Sequence, residues 1–170
     1  DGIYALWKAM SEIGETTVVA PNTEKSAVGH AITLSDPIRI EEVIRFDGFK
    51  GYAVNGTPAD SVKIAVKAIM NVKPDIIISG INAGANVGRS LLYSGTISAA
   101  TEGTFLGIPS IAISLDALRN MDFSSSKVVA KKIVHMVLEN GLPNDTLLNV
   151  NVPKDSESGF KGYQITNQGA

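Results

Sequence analysis

Two short runs constrain this chain more than anything else in it: Pro74-Asp75-Ile76-Ile77-Ile78-Ser79 and Pro109-Ser110-Ile111-Ala112-Ile113-Ser114. Both are nearly continuous in apolar residues, where a strand with one wet face would alternate. Such runs belong to strands covered on both faces, as in parallel sheets. Leu147-Leu148-Asn149-Val150-Asn151-Val152 extends the series, and Thr16-Thr17-Val18-Val19-Ala20, stopped by Pro21, precedes it. Helical patterns lie between the strands. Ile3, Leu6, Met10 and Ile13 recur at helical spacing before Gly14, and residues 96–106 end at Gly107. Residues 126–140 carry Val129, Ile133, Met136 and Val137 on one side. Thr57-Pro58-Ala59-Asp60 opens another helix, running to about Met70, with a hydroxyl cap, a proline at the first helical position and a carboxylate in the first turn. Strands alternating with helices imply right-handed crossovers and an α/β fold, a doubly wound, mainly parallel sheet with helices on both faces. Residues 31–40 and 52–54 alternate enough to form a small β extension beside it.

An apolar fraction of 44% across 170 residues fills one core, and no repeat or linker divides it, so residues 1–170 read as a single domain. The absence of cysteine excludes disulfides, thiolate metal sites and cysteine nucleophiles. A net charge of −2 argues against an electrostatic footprint for a nucleic-acid duplex or a membrane surface. No apolar run approaches the roughly 20 residues that span a bilayer, and no secretory signal is visible. A cytoplasmic location is therefore expected. Gly2-Ile3 leads straight into a helical pattern, where an α/β domain usually opens with a strand, so the reading expects an N-terminal strand to lie upstream.

Ligands of such sheets bind beyond the carboxyl ends of the strands. Four segments arrive there, residues 22–30, 80–89, 93–96 and 114–116, the first three rich in small donors. Ser79-Gly80-Ile81-Asn82-Ala83-Gly84-Ala85-Asn86-Val87-Gly88 lets the backbone approach a ligand closely and offers amide oxygens and N–H groups. The same residues also suit ordinary left-handed turns. Tyr93-Ser94-Gly95-Thr96 brings hydroxyls and free N–H groups to the positive end of a helix, a seat for phosphate, although Ser94 or Thr96 can equally be a simple cap. In Glu24-Lys25-Ser26-Ala27-Val28-Gly29-His30 the serine can ligate a hard cation and His30 can orient a ligand, or the loop can be surface decoration. His135, set among apolar helical residues, reads as structural, Asp60 as a cap and Glu102 as an anchor for neighbouring loops. Neither a GxxxxGK[ST] nor a GxGxxG pattern is present, which removes those two phosphate-binding mechanisms.

Taken in order, these pieces closely resemble the SurE family of stationary-phase survival proteins, which are metal-dependent nucleotidases. The matching segments are Val19-Ala20-Pro21 with Ser26-Ala27-Val28-Gly29-His30, then Asn55-Gly56-Thr57-Pro58-Ala59-Asp60 and Pro74-Asp75. Ser79-Gly80-Ile81-Asn82 with Gly84 and Asn86, Tyr93-Ser94-Gly95-Thr96, Ala99-Ala100 with Glu102-Gly103, and Gly107-Ile108-Pro109-Ser110-Ile111-Ala112 complete the set. Each segment alone is weak; the ordered set, covering almost the whole chain, is specific.

The resemblance implies a Rossmann-like core that binds Mg²⁺ or Mn²⁺, with Ca²⁺ able to occupy the same site. It maps the family's serine and asparagine metal ligands onto Ser26 and Asn82, and phosphate-facing roles onto Asn86, Ser94, Gly95 and Thr96. Asn82, Ser94 and Thr96 are the residues expected to carry catalysis. The family's other ligands are two aspartates in an Asn-Asp-Asp-Gly motif. Gly2 matches a later glycine of that region, which leaves the pair upstream, with Asp1 as the alternative. The family also continues past Gln168-Gly169-Ala170, so a C-terminal segment is expected to be missing too. The substrate implied is a nucleoside monophosphate, and the assembly a homodimer or homotetramer. Covalent attack by an aspartate and direct attack by water both remain open. The rival reading is a non-catalytic nucleotide-binding or regulatory module; a nicotinamide-dependent oxidoreductase lacks its glycine fingerprint.

Overall fold

A computed structural model describes residues 2–154 and 160–169. Its elements alternate as the sequence pattern requires. Helix α1 (Gly2–Met10) is followed by β1 (Val19–Pro21), β2 (Ile40–Ile44), β3 (Lys50–Val54) and α2 (Pro58–Ile64), which continues through a wider π-type turn at Ala65–Ile69. The second half contains β4 (Ile77–Ala83), α3 (Gly95–Phe105), β5 (Ser110–Asp116), α4 (Ser124–Asn140) and β6 (Leu148–Pro153). The strands form two three-stranded sheets. One is mixed, in the order β1-β3-β2; the other is wholly parallel, β4-β5-β6.

The parallel sheet holds the core. On one face Ile111, Ile113 and Leu115 of β5 pack with Leu6 and Met10 of α1 and Val134 of α4. Each of these side chains contributes about 1.5–3 kcal/mol through burial. On the opposite face β5 shows Ser110, Ala112 and Ser114, all fully buried, to α3. Small residues on both sides bring helix and sheet together here. Gly103 is the tightest point: a Cβ on it would lie 2.3 Å from Ser110 Oγ and 2.9 Å from Ile77 Cδ1.

Several local expectations shift. β5 is covered on both faces as predicted, but β4 is only half-buried, with one edge that pairs no strand among the described residues. β4 also continues through Gly80, where the sequence suggested a loop, since Asn82 and Ala83 still pair with Ser114 and Leu115 beyond a register irregularity. Residues 31–39 form no strand. Their polar groups turn instead to the start of α2, where the Ala31 carbonyl accepts from Thr57 Oγ1 at 2.7 Å and the Thr33 N–H donates to Asp60. On α4 the inward stripe runs through Val129, Ala130, Val134 and Val137, which leaves Met136 at its rim, half exposed. His135 is exposed rather than packed in the core.

Candidate active site

The edges of β1 and β4 that pair no strand among the described residues face a cleft of about 1240 Å³, with α1 on one flank and α2 on the other. Ser26, Asn82, Asn86, Ser94, Gly95 and Thr96 all line it. Short-range contacts tighten that grouping. The Gly29 N–H donates to the Tyr93 carbonyl at 3.0 Å, which ties the Ser26 loop to the segment entering α3. A Cβ on Gly95 would sit 3.3 Å from the Lys25 carbonyl and 2.8 Å from Pro58 Cγ, so the first turn of α3 presses directly on that loop.

Asn82 uses its amide nitrogen on the Ala83 and Gly84 carbonyls, at 3.1 and 2.8 Å. That fixes the carboxamide and leaves Oδ1 as the group it has to offer, a neutral hard oxygen suited to Mg²⁺, Mn²⁺ or Ca²⁺. Ser26 Oγ donates to Glu24 Oε1 at 2.9 Å, so its lone pairs stay available. Ser94 is the N-cap of α3, its Oγ accepting from the Ile97 N–H at 3.2 Å. The N–H groups of Gly95 and Thr96, in the first turn, have no acceptor within the helix and meet the positive end of its dipole. Capping and anion seating are thus compatible roles of one turn. Asn86 differs from its neighbours: it is buried, and its amide nitrogen donates inward to Ser114 Oγ at 2.8 Å. Its oxygen and one amide hydrogen remain for other partners.

Glu102 is the anchor that the sequence suggested. Its carboxylate is 8% exposed and lies 2.9 Å from His30 Nε2 and 3.4 Å from Lys63 Nζ. His30, which the sequence offered as able to orient a ligand, is held by that carboxylate and stacked on Phe105, with ring centroids 5.6 Å apart. Asp60 closes a capping box with Thr57 and also accepts from the Thr33 N–H and hydroxyl. Burial alone would raise its pKa, but the hydrogen bonds from Thr33 and Thr57 together outweigh it and hold the carboxyl below its ordinary value. A lowered carboxyl stabilises the fold above the unfolded-state pKa, and that contribution disappears as pH falls through the folded-state value. Asp60→Asn will therefore cost about 1–2 kcal/mol at neutral pH. The gap between the urea midpoints of variant and wild type will hold from pH 7 down to the ordinary carboxylate range and narrow below it; a gap constant throughout would remove the charge from the account.

Sequence reading brought the Ser114 segment to the crevice but missed Asn149 and Asn151. Their signal was present: Leu147-Leu148-Asn149-Val150-Asn151-Val152 places two asparagines two residues apart on an apolar strand, hence on one face.

Among the described residues, no three His, Cys, Asp or Glu side chains gather to hold a metal ion. Asp1, the alternative acidic ligand, lies outside the described residues. No described helix is long and apolar enough to cross a membrane.

The family profile described as Survival protein SurE matches residues 1–170. The chain belongs to the SurE family. It is 48% identical over 174 residues to a protein named 5'-nucleotidase SurE from Syntrophobacter fumaroxidans, covering 99% of this chain and 70% of that relative. It is also 48% identical to the protein of that name from Chlorobium chlorochromatii, covering all of this chain and 62% of the relative. The crystal structure of a SurE protein from Aquifex aeolicus superposes with a TM-score of 0.88 at 42% identity, over 98% of this chain and 66% of that one. The chain thus spans about two thirds of the length of these SurE relatives, and the superposition establishes the Rossmann-like α/β fold.

Proposed function

We propose that this chain is the core of a divalent-metal-dependent phosphomonoesterase that hydrolyses nucleoside 5'-monophosphates, and 3'-monophosphates as a further substrate class, to nucleoside and phosphate. Relatives that match it across its length are named 5'-nucleotidase SurE, which supports the 5'-monophosphate part of the reading. The observation that carries the reading is the pairing of the freed Asn82 oxygen with the open first turn of α3 at one cleft.

In this reading Asn82 Oδ1 and Ser26 Oγ are metal ligands. Both are hard oxygens, which fits Mg²⁺ or Mn²⁺ and disfavours zinc. Two neutral ligands do not offset the dehydration of a dication, so carboxylates must complete the site. Support for where those come from lies in the edges of β1 and β4 that no described strand pairs: in this reading one more parallel strand lies between them, with its carboxyl end beside Ser26 and Asn82. The domain is accordingly read as one SurE-like unit over residues 1–170, completed by an N-terminal strand bearing the acidic pair and by a C-terminal segment. The bound cation supplies Lewis-acid polarisation of the phosphoryl oxygens. The N–H groups of Gly95 and Thr96, with the Ser94 and Thr96 hydroxyls, hold the phosphoryl oxygens and stabilise charge developing on them. The Asn86 oxygen faces the same space. The protein acts in the cytoplasm as a homodimer or homotetramer.

Phosphate release from a panel of nucleoside monophosphates, with Mn²⁺ or Mg²⁺ and then with EDTA, tests the proposal in the full-length protein. Turnover that needs the metal is the expected result. Nucleotide binding without phosphate release under either condition would move the protein to the regulatory class.

A further inference from the structure

The chain leaves β4 at Ala83 and crosses over the top of the parallel sheet before α3. Nothing in that crossing is regular structure until Gly88, so its backbone groups need partners from elsewhere. They find them in a polar row. Asn82, Ser114 and Asn151 are register neighbours on β4, β5 and β6, and therefore share one level and one face of the sheet. Asn86 lies over this row. Its backbone N–H donates to Asn151 Oδ1 at 2.8 Å, and its carbonyl accepts from Asn151 Nδ2 at 3.0 Å. One carboxamide thus offers Asn86 the same donor and acceptor that a neighbouring strand would. Asn149 Nδ2 donates to the same carbonyl at 2.9 Å, Ser114 Oγ accepts from the Asn86 side chain at 2.8 Å, and the Gly84 N–H donates to the Leu115 carbonyl at 2.8 Å.

We infer that Asn151, seconded by Asn149 and Ser114, is a positioning residue that pins the crossing at Asn86 and thereby holds Asn82 Oδ1 and the Asn86 oxygen at the cleft. The chemistry at each position is specific. Only a carboxamide presents a donor and an acceptor side by side in one plane, and asparagine is otherwise depleted in strands. Ser114 has no exposed surface, so its hydroxyl can serve only groups within the fold. Because Asn82 takes its own orientation from the Ala83 and Gly84 carbonyls, any drift of the crossing turns the metal-facing oxygen away. The consequence for turnover rests on the phosphomonoesterase reading above; the pinning itself does not.

The test uses Asn151→Ala and Ser114→Ala in the full-length protein, with two measurements on each. Amide hydrogen exchange at residues 84–87 will accelerate about tenfold or more, while exchange along α4 stays at the wild-type rate. The Mn²⁺ concentration giving half-maximal phosphate release will rise about 10–100-fold, as is usual when a group supporting a ligand is lost, with most of kcat recovered at saturating Mn²⁺. Unchanged exchange at 84–87 in both variants overturns the pinning. Faster exchange there with a wild-type Mn²⁺ requirement overturns its link to the metal site, and so does exchange raised equally in α4, which marks general loosening. If wild type itself releases no phosphate with metal, the enzymatic reading fails, and the exchange measurement still decides the pinning. Should Asn151→Ala not fold, Ser114→Ala, which removes one acceptor and no backbone contact, decides it alone.

Discussion

Asn82→Ala will reduce metal-dependent phosphate release on the order of a hundredfold or more while leaving the protein folded. The expectation follows from how little else the side chain does. Its hydrogen bonds run only to the carbonyls of the next two residues, and it is part-exposed. Its oxygen, by contrast, is a proposed ligand of a cation that demands close to a full set of hard donors. A site one ligand short binds its ion weakly and places the phosphoryl group poorly, and losses of two to three orders of magnitude are typical when one stabilising group at a reacting centre is removed. Phosphate release measured across a Mn²⁺ titration, alongside thermal unfolding, checks both halves. Wild-type turnover at saturating metal would take Asn82 out of the ligand set.

Gly103→Val will destabilise the fold strongly. The position lies in the middle of α3, where a glycine ordinarily costs helix stability of about 1 kcal/mol relative to alanine. It is retained because Ser110 and Ile77 occupy the space that a side chain would need. Ser110 is fully buried on the central strand and cannot swing away, so the helix itself must lift off the sheet. Overpacking of this kind costs about 1–3 kcal/mol and occasionally more, or roughly 2–12 °C in Tm for a domain of this size. Lifting α3 also carries Ser94, Gly95 and Thr96 away from the Ser26 loop, so KM for the nucleotide should rise together with the loss of stability. A Tm within a degree of wild type would show that the helix and sheet are less closely packed than Gly103 indicates.

The parts of this molecule that were legible in sequence are those governed by local chemistry. The apolar runs at residues 76–79 and 110–114 announced a parallel sheet because a strand covered on both faces has no reason to alternate. Thr57-Pro58-Ala59-Asp60 announced its helix because cap, proline and carboxylate each act within one turn. Other features depend on partners distant in the chain. Residues 31–39 carry an alternating pattern, yet the start of α2 competes for their hydrogen bonds and wins. Gly80 and the residues after it look like a loop but stay in the ladder through pairing with β5. His30 looked available until Glu102, 72 residues later, engaged it. The asparagines of β6 carried a readable anomaly, but no local rule says what lies above them.

Ser26 comes off the β1 half of the molecule, whereas Asn82 and α3 belong to the β4 half. The pocket is therefore built across a joint, bridged on one side by the Glu102–His30 pair and the Gly29–Tyr93 hydrogen bond and on the other by Tyr4 and Trp7 of α1 against Phe49. Whatever fills the seam between β1 and β4 sets how closely the two halves meet, and so how well their oxygens match an ion. Affinity for the cation and for the occupant of the seam are then linked quantities, and each must strengthen the other by the same factor.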